Sequence, residues 1–173
     1  MKKVLLSLFS LGLCLLLPCV SLSETVTASF FPIYLFASNL LAGTEGIALH
    51  SLAQPQTGCL HDYQLSSGDL RALSDTDVFL INGAGMEGFL SFVFEAFPDM
   101  PLVDSSEGIE LLPSESGETE FNAHIWLAPE NAAIMIKNLS HGLQAAFPDQ
   151  AEVIAANEQA YLLRQAISSP LTT

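Results

Sequence analysis

Two histidines carry the chemistry that this 173-residue chain advertises most clearly. His61 lies in the phrase Gly58-Cys59-Leu60-His61-Asp62-Tyr63, and His124 in Asn122-Ala123-His124-Ile125-Trp126. Each falls where a strand-like run gives out or a helix-like run is about to begin. Imidazole is the commonest protein ligand for transition metals, and a position at the end of an element lets it face a ligand instead of the core. The two lie far apart in the chain, so only the fold can join them in one site. Read from residue type alone, a shared metal site and two ordinary surface imidazoles both remain open. Asp62 and Tyr63 are polar neighbours able to orient the His61 ring.

Other candidates have plainer readings. His50 falls inside a strand-like run and reads as a satisfied core or strand-face histidine, and His141 lies off the apolar stripe of Ile136, Leu139 and Leu143, on a solvated face. Glu87 follows a strand end and is either a cleft-facing carboxylate or a structural one. Cys59 is chemically able to bind zinc. Trp126, the single tryptophan, reads as a packing residue.

The elements that must position these residues alternate between strand and helix. Residues 25–30 read as a buried strand, followed by a helix opened by Pro32 and ended at Gly43. Residues 46–52 form a second strand, and 54–65 a loop holding His61. Ser66 or Ser67 caps a short helix whose first turn contains Asp69. Residues 77–81 give a third strand, 88–97 a helix and 101–103 a fourth strand. The polar stretch 105–120 reads as an irregular surface loop. Pro129 opens a helix to about Ala146, and Pro148 another to about Ile167. Nearly continuous apolar strands separated by helices predict an α/β lobe with a four-stranded, mainly parallel sheet flanked by helices. Ligands bind such sheets at the carboxyl ends of the strands, where the segments holding His61, 82–87 and His124 can meet.

The first 23 residues stand apart from the fold. Lys2 and Lys3 followed by an apolar run predict a signal peptide, cleaved before Glu24 or lipidated at Cys19, where Leu16-Leu17-Pro18-Cys19 is similar to a bacterial lipoprotein signal. Either route places the mature protein outside the cytoplasmic membrane. The formal charge is −14, and near −16 once Lys2 and Lys3 are gone. So acidic a chain lacks the cations that displace counterions from nucleic-acid phosphates. Cys59 is the one thiol outside the leader, which excludes a cysteine-rich structural zinc site.

Five separated segments resemble one family. Thr25-Val26-Thr27-Ala28-Ser29-Phe30 leading to Pro32, His61-Asp62-Tyr63-Gln64-Leu65-Ser66, the run 77–83 with Gly85 and Glu87, and 124–132, together with the leader, are similar to the metal-binding substrate-binding proteins of bacterial ABC importers. The resemblance implies a two-lobed protein whose lobes are joined by a long helix, with a metal ion between them. It implies His61 and His124 as first-lobe ligands, with a third histidine and a carboxylate from the second lobe. The wording around both histidines resembles the zinc branch more than the manganese branch, and a nitrogen-rich donor set suits Zn²⁺.

On that reading residues 1–23 are the leader, 24–128 the metal-binding lobe and 129–173 a helical segment holding the start of the interlobe helix, with nothing corresponding to the second lobe. The expected function is non-enzymatic capture of zinc for an ABC permease in the membrane. Ala128 stands where the family often has an Asp cap, and the residues before His124 lack the frequent histidine-rich loop. Alternatives are a truncated or lone lobe with weak metal binding, serving as an interaction or adhesion surface or completed by a second copy, and a manganese-binding relative. A zinc hydrolase would need a third ligand and a general base, and no His-Glu-x-x-His pattern is present.

Overall fold

The computed structural model describes residues 23–54, 60–114 and 120–168; the side chains of His61 and Ser168 lie outside that description. Residues 1–22 of the leader and Cys59 also fall outside it. Four strands, β1 (Glu24–Ala28), β2 (Ile47–Ser51), β3 (Val78–Ile81) and β4 (Leu102–Asp104), form one sheet in the order β2-β1-β3-β4. All three pairings are parallel, with Val26 opposite Leu49 and Val78, and Leu80 opposite Ala28 and Val103. Among the described residues five α-helices accompany the sheet: α1 (Phe31–Leu40), α2 (Ser67–Ser74), α3 (Leu90–Ala96), α4 (Pro129–Ala146) and α5 (Ala151–Ser168). The predicted four-stranded parallel sheet is therefore present. Among the described residues no helix is long and apolar enough to cross a membrane.

The strand sequences explain the layering. β3 is buried throughout because both faces of Val78–Ile81 are covered. One face, carrying Val26, Ala28, Leu80 and Val103, packs under α1 and α4, and α5 packs on both of those helices. Right-handed crossovers put α2 and α3 on the other face. The hydrogen bond between the Thr27 and Thr76 hydroxyls, 2.7 Å, shows the end of α2 there. α4 presents a continuous buried stripe of Ala132, Met135, Ile136, Leu139 and Leu143. Asn157 of α5 donates to the carbonyls of Leu40 and Ala42, both at 2.8 Å, and so satisfies the C-terminal end of α1.

α4 approaches β4 so closely that Gly142 has no room for a side chain. A Cβ there would fall 2.5 and 2.6 Å from the two methyl groups of Val103. Gly142→Ala is expected to lose about 1–3 kcal/mol to overpacking and to regain about 1 kcal/mol in helix propensity. A urea melt in which Gly142→Ala is destabilised alone, but neutral or stabilising together with Val103→Ala, checks this; equal effects in both backgrounds refute it.

Several boundaries differ from the sequence reading for local reasons. α3 is shorter than predicted because Gly88 and Phe89 close the preceding turn. Pro148 starts a single 3-10 turn, Pro148–Gln150, before α5 begins. The largest correction concerns residues 105–120: Ser105 is fully buried and Ile109 nearly so. Tertiary bonds draw this polar stretch inward, with Asn138 of α4 donating to the carbonyls of Ser105 and Glu107 at 2.9 and 2.8 Å.

Candidate metal centre

The winding direction reverses between β1 and β3, since the chain leaves β1 toward β2 on one side and leaves β3 toward β4 on the other. The crevice beyond those two strand ends is the expected ligand position in an open α/β sheet. Here a carboxylate of the protein closes it. Glu87 is 5% exposed, and its Oε1 accepts from Ser29 Oγ at the end of β1 and from the Asn82 amide at the end of β3, both at 2.7 Å. Its Oε2 accepts from the Gly83 amide at 3.1 Å.

The turn that delivers these amides, Gly83-Ala84-Gly85, has φ values of 75°, 54° and 78°. Such a left-handed run turns successive N–H groups toward one point, a concavity suited to an anion. Glycine tolerates it freely, whereas Ala84 pays a steric penalty of about 1 kcal/mol. Burial raises the Glu87 carboxyl above its ordinary value and outweighs the hydrogen bonds from Ser29, Asn82 and Gly83 that favour the anion. Of the two sequence readings for Glu87, the structural one fits.

The network reaches outward from there. Ser105 Oγ, just past β4, donates to the Asn82 carbonyl at 3.0 Å. The fully buried Asn82 amide nitrogen donates to the carbonyls of Gly83, 2.8 Å, and Ala123, 3.1 Å. Ala123 directly precedes His124. Segments following β1, β3 and β4 and the segment of His124 are thus tied together at the carboxyl edge.

His124 is exposed on that edge. Its backbone N–H donates to Asn122 Oδ1 at 3.0 Å, which fixes Oδ1 as an acceptor. The same oxygen lies 3.1 Å from His124 Nδ1, so Nδ1 carries the proton in this contact and the lone pair resides on Nε2. A hydrogen bond at one ring nitrogen fixes the tautomer and orientation of an imidazole, as is usual for one that ligates metal. The ring packs on Trp126 at 5.1 Å between centroids, and Trp126 meets Phe30 edge-on at 5.0 Å. Trp126 thus packs the lobe, as expected, and also backs the His124 ring. A hollow of about 320 Å³ beside His124 is lined by Glu110, Leu112, Asn122, Leu127 and Asn131 among others.

His61 belongs to a 3-10 turn, Leu60–Asp62, on the β2-to-α2 connection, anchored by the buried Leu60. Tyr63, expected as a partner for the His61 ring, makes a bond to the helix that follows. Its phenol donates to Asp69 Oδ2 at 3.0 Å, and that carboxylate also accepts the Ser66 amide at 2.7 Å in the capping box of α2. Burial and the Asp69 carboxylate push the Tyr63 hydroxyl up to about 12. His50 on β2 and His141 on α4 are solvent-exposed. Among the described residues no three His, Cys, Asp or Glu side chains gather as a metal site. Ser29, Asn82, Ser105 and Asn122 were not singled out in the sequence. Only Asn122 had a local signal: an Asn two residues before its backbone partner is the pattern of an Asx turn.

Residues 26–166 match the family described as zinc-uptake complex component A, periplasmic. The chain belongs to that family. The iron-binding protein YfeA of Yersinia pestis is 32% identical over 149 residues, covering 84% of this chain and 47% of that protein. The manganese-binding lipoprotein MntA of Halalkalibacterium halodurans is 35% identical over 102 residues, 59% of this chain and 34% of the relative. The zinc-binding lipoprotein AdcA of Streptococcus pneumoniae is 25% identical over 181 residues, 94% of this chain and 36% of its own. The chain therefore spans between about a third and a half of the length of these relatives.

Among solved structures, ZnuA aligns at 26% identity with a TM-score of 0.75, covering 84% of this chain and 55% of that one. Zinc-bound AdcA from Streptococcus pneumoniae, at 22% identity and a TM-score of 0.75, shares the fold over 84% of this chain and 31% of its own. These relatives are named for the metals they bind: iron, manganese and zinc.

Proposed function

We propose that this chain is the first lobe of an extracytoplasmic metal-capturing protein that serves an ABC permease, with His61 and His124 as ligands for Zn²⁺. The observation that carries the reading is the His124 ring, held by Asn122 at Nδ1 with its lone pair on Nε2, at the carboxyl edge of a parallel sheet. The 3-10 turn of His61 follows β2 and so belongs to the same edge. Two imidazoles supply a nitrogen-rich start to a coordination shell, which favours zinc over manganese. The remaining ligands belong to the rest of a longer architecture, for which α5 is the connecting helix; its exposed Leu163 and Ile167 are apolar positions awaiting a neighbour. Residues 1–23, with Lys2, Lys3 and Cys19, are the leader that exports or anchors it.

Equilibrium dialysis against zinc and against manganese tests the assignment. His61→Ala and His124→Ala are each expected to weaken zinc binding by at least about tenfold, and binding should also weaken as the pH falls and the imidazoles protonate. Unchanged zinc affinity in both variants would remove the site, and a preference for manganese would reassign the metal.

A further inference from the structure

We infer that Asn82 is the residue that positions His124 for metal, an inference that rests on His124 being a ligand. Asn82 is completely buried at the end of β3, and both protons of its side-chain amide are spent on carbonyl oxygens, those of Gly83 and Ala123. The second bond spans 41 residues and grips the peptide immediately before the histidine. Its other side-chain atom, Oδ1, is buried without a hydrogen-bond partner among the described residues. An orphaned buried acceptor is a standing cost, and rotating the amide would turn that oxygen onto two carbonyls. What the position retains is therefore a double donor at a fixed place.

Asn82 is itself held at three points. Its N–H donates to Glu87 Oε1, its carbonyl accepts from Ser105 Oγ, and the strand before it is locked between β1 and β4. The anchor is rigid, whereas the segment it holds is not part of the sheet. Beyond Ala123, Asn122 and His124 are exposed; the Asn122 amide donates to the Leu112 carbonyl at 2.8 Å and the His124 ring packs on Trp126, and the Asn82 bond is what ties the peptide between them to β3. Without that bond the peptide shifts relative to β3, and the Asx turn that sets the His124 ring and its tautomer loosens. Asn82 touches no metal and acts only through the backbone of the neighbouring residue.

A double-mutant cycle on the full chain tests this, with zinc alone as the probe. Asn82→Ala is expected to weaken zinc binding by about tenfold in the otherwise unaltered chain and by less than about twofold when His124→Ala is already present. Equal losses in both backgrounds, or none in the first, overturn the positioning role. Asn82→Ser, which keeps one donor, is expected to lie between the two and serves where the alanine variant folds poorly. A second readout needs no metal: long-range ¹⁵N–¹H spectra of the His124 ring. The Nδ1–H tautomer should dominate in the unaltered chain and give way to a mixture in Asn82→Ser. An unchanged ring spectrum overturns the proposal even if zinc affinity falls. If His124→Ala leaves zinc affinity untouched while the ring spectrum responds to Asn82, the ligand reading has failed and the positioning has not.

Discussion

Replacing Glu87 with alanine is expected to destabilise the lobe by about 3 kcal/mol and lower its melting temperature by roughly 6–12 °C. The carboxylate accepts from the Ser29 hydroxyl and from the amides of Asn82 and Gly83, all in a buried setting. Each donor left unsatisfied costs about 1–3 kcal/mol, and part of the sum is returned because a charge no longer has to be desolvated. Calorimetry checks the value; a change of melting temperature under about 2 °C would show that water or a neighbour replaces the carboxylate.

The same group has a signature in pH. Burial raises the folded-state pKa of Glu87 above its ordinary 4.5. Between those two values the folded chain holds a proton that the unfolded chain has released, so stability grows as pH falls through the raised value. The contribution is complete below 4.5 and is lost on the way back up. The stability difference between the unaltered chain and Glu87→Gln should therefore shift in favour of the former on acidification from neutrality. Comparing the two chains cancels the relief of repulsion that any strongly acidic surface gains at low pH. A difference that stays constant over the range refutes the assignment.

Phe79→Ala is the second large effect, about 3–5 kcal/mol. Phe79 is fully buried in β3, an interior strand, with β1 on one side and β4 on the other. Its amide donates to the Pro101 carbonyl at 2.9 Å and its register partners are Thr27 and Leu102, so the backbone is fixed around it. Truncation therefore leaves a cavity that the sheet cannot close by shifting. A urea melt should show a lower midpoint with an unchanged slope; a loss under about 1 kcal/mol would mean that α2 or α3 collapses into the space.

The features legible in the sequence were those decided locally. Val78 to Ile81 could be nothing but a buried strand, and Pro129 with the stripe from Ala132 to Leu143 delimited α4 closely. The alternation of such runs gave a parallel sheet without knowledge of which strand pairs with which. His124 was singled out by its phrase and lies exposed on the carboxyl edge, and Glu87 was noticed with its role undecided. What escaped was set by distant partners. Ser105 lies in a polar, acidic stretch, yet it is buried because Asn82 and Asn138 bind it from segments 23 and 33 residues away. Tyr63, next to His61, serves the cap of α2 through Asp69. No local pattern announces a tyrosine that reaches a carboxylate six residues on.

The closing of the crevice by Glu87 has a consequence for traffic. The Glu87 side chain fills the deep position between the ends of β1 and β3 and spends its oxygens on Ser29, Asn82 and Gly83, so that under the proposed function a metal ion would sit above it, at the lip where His124 is exposed. Under that proposal a second surface could cover the ion, or withdraw it, without parting the strands beneath.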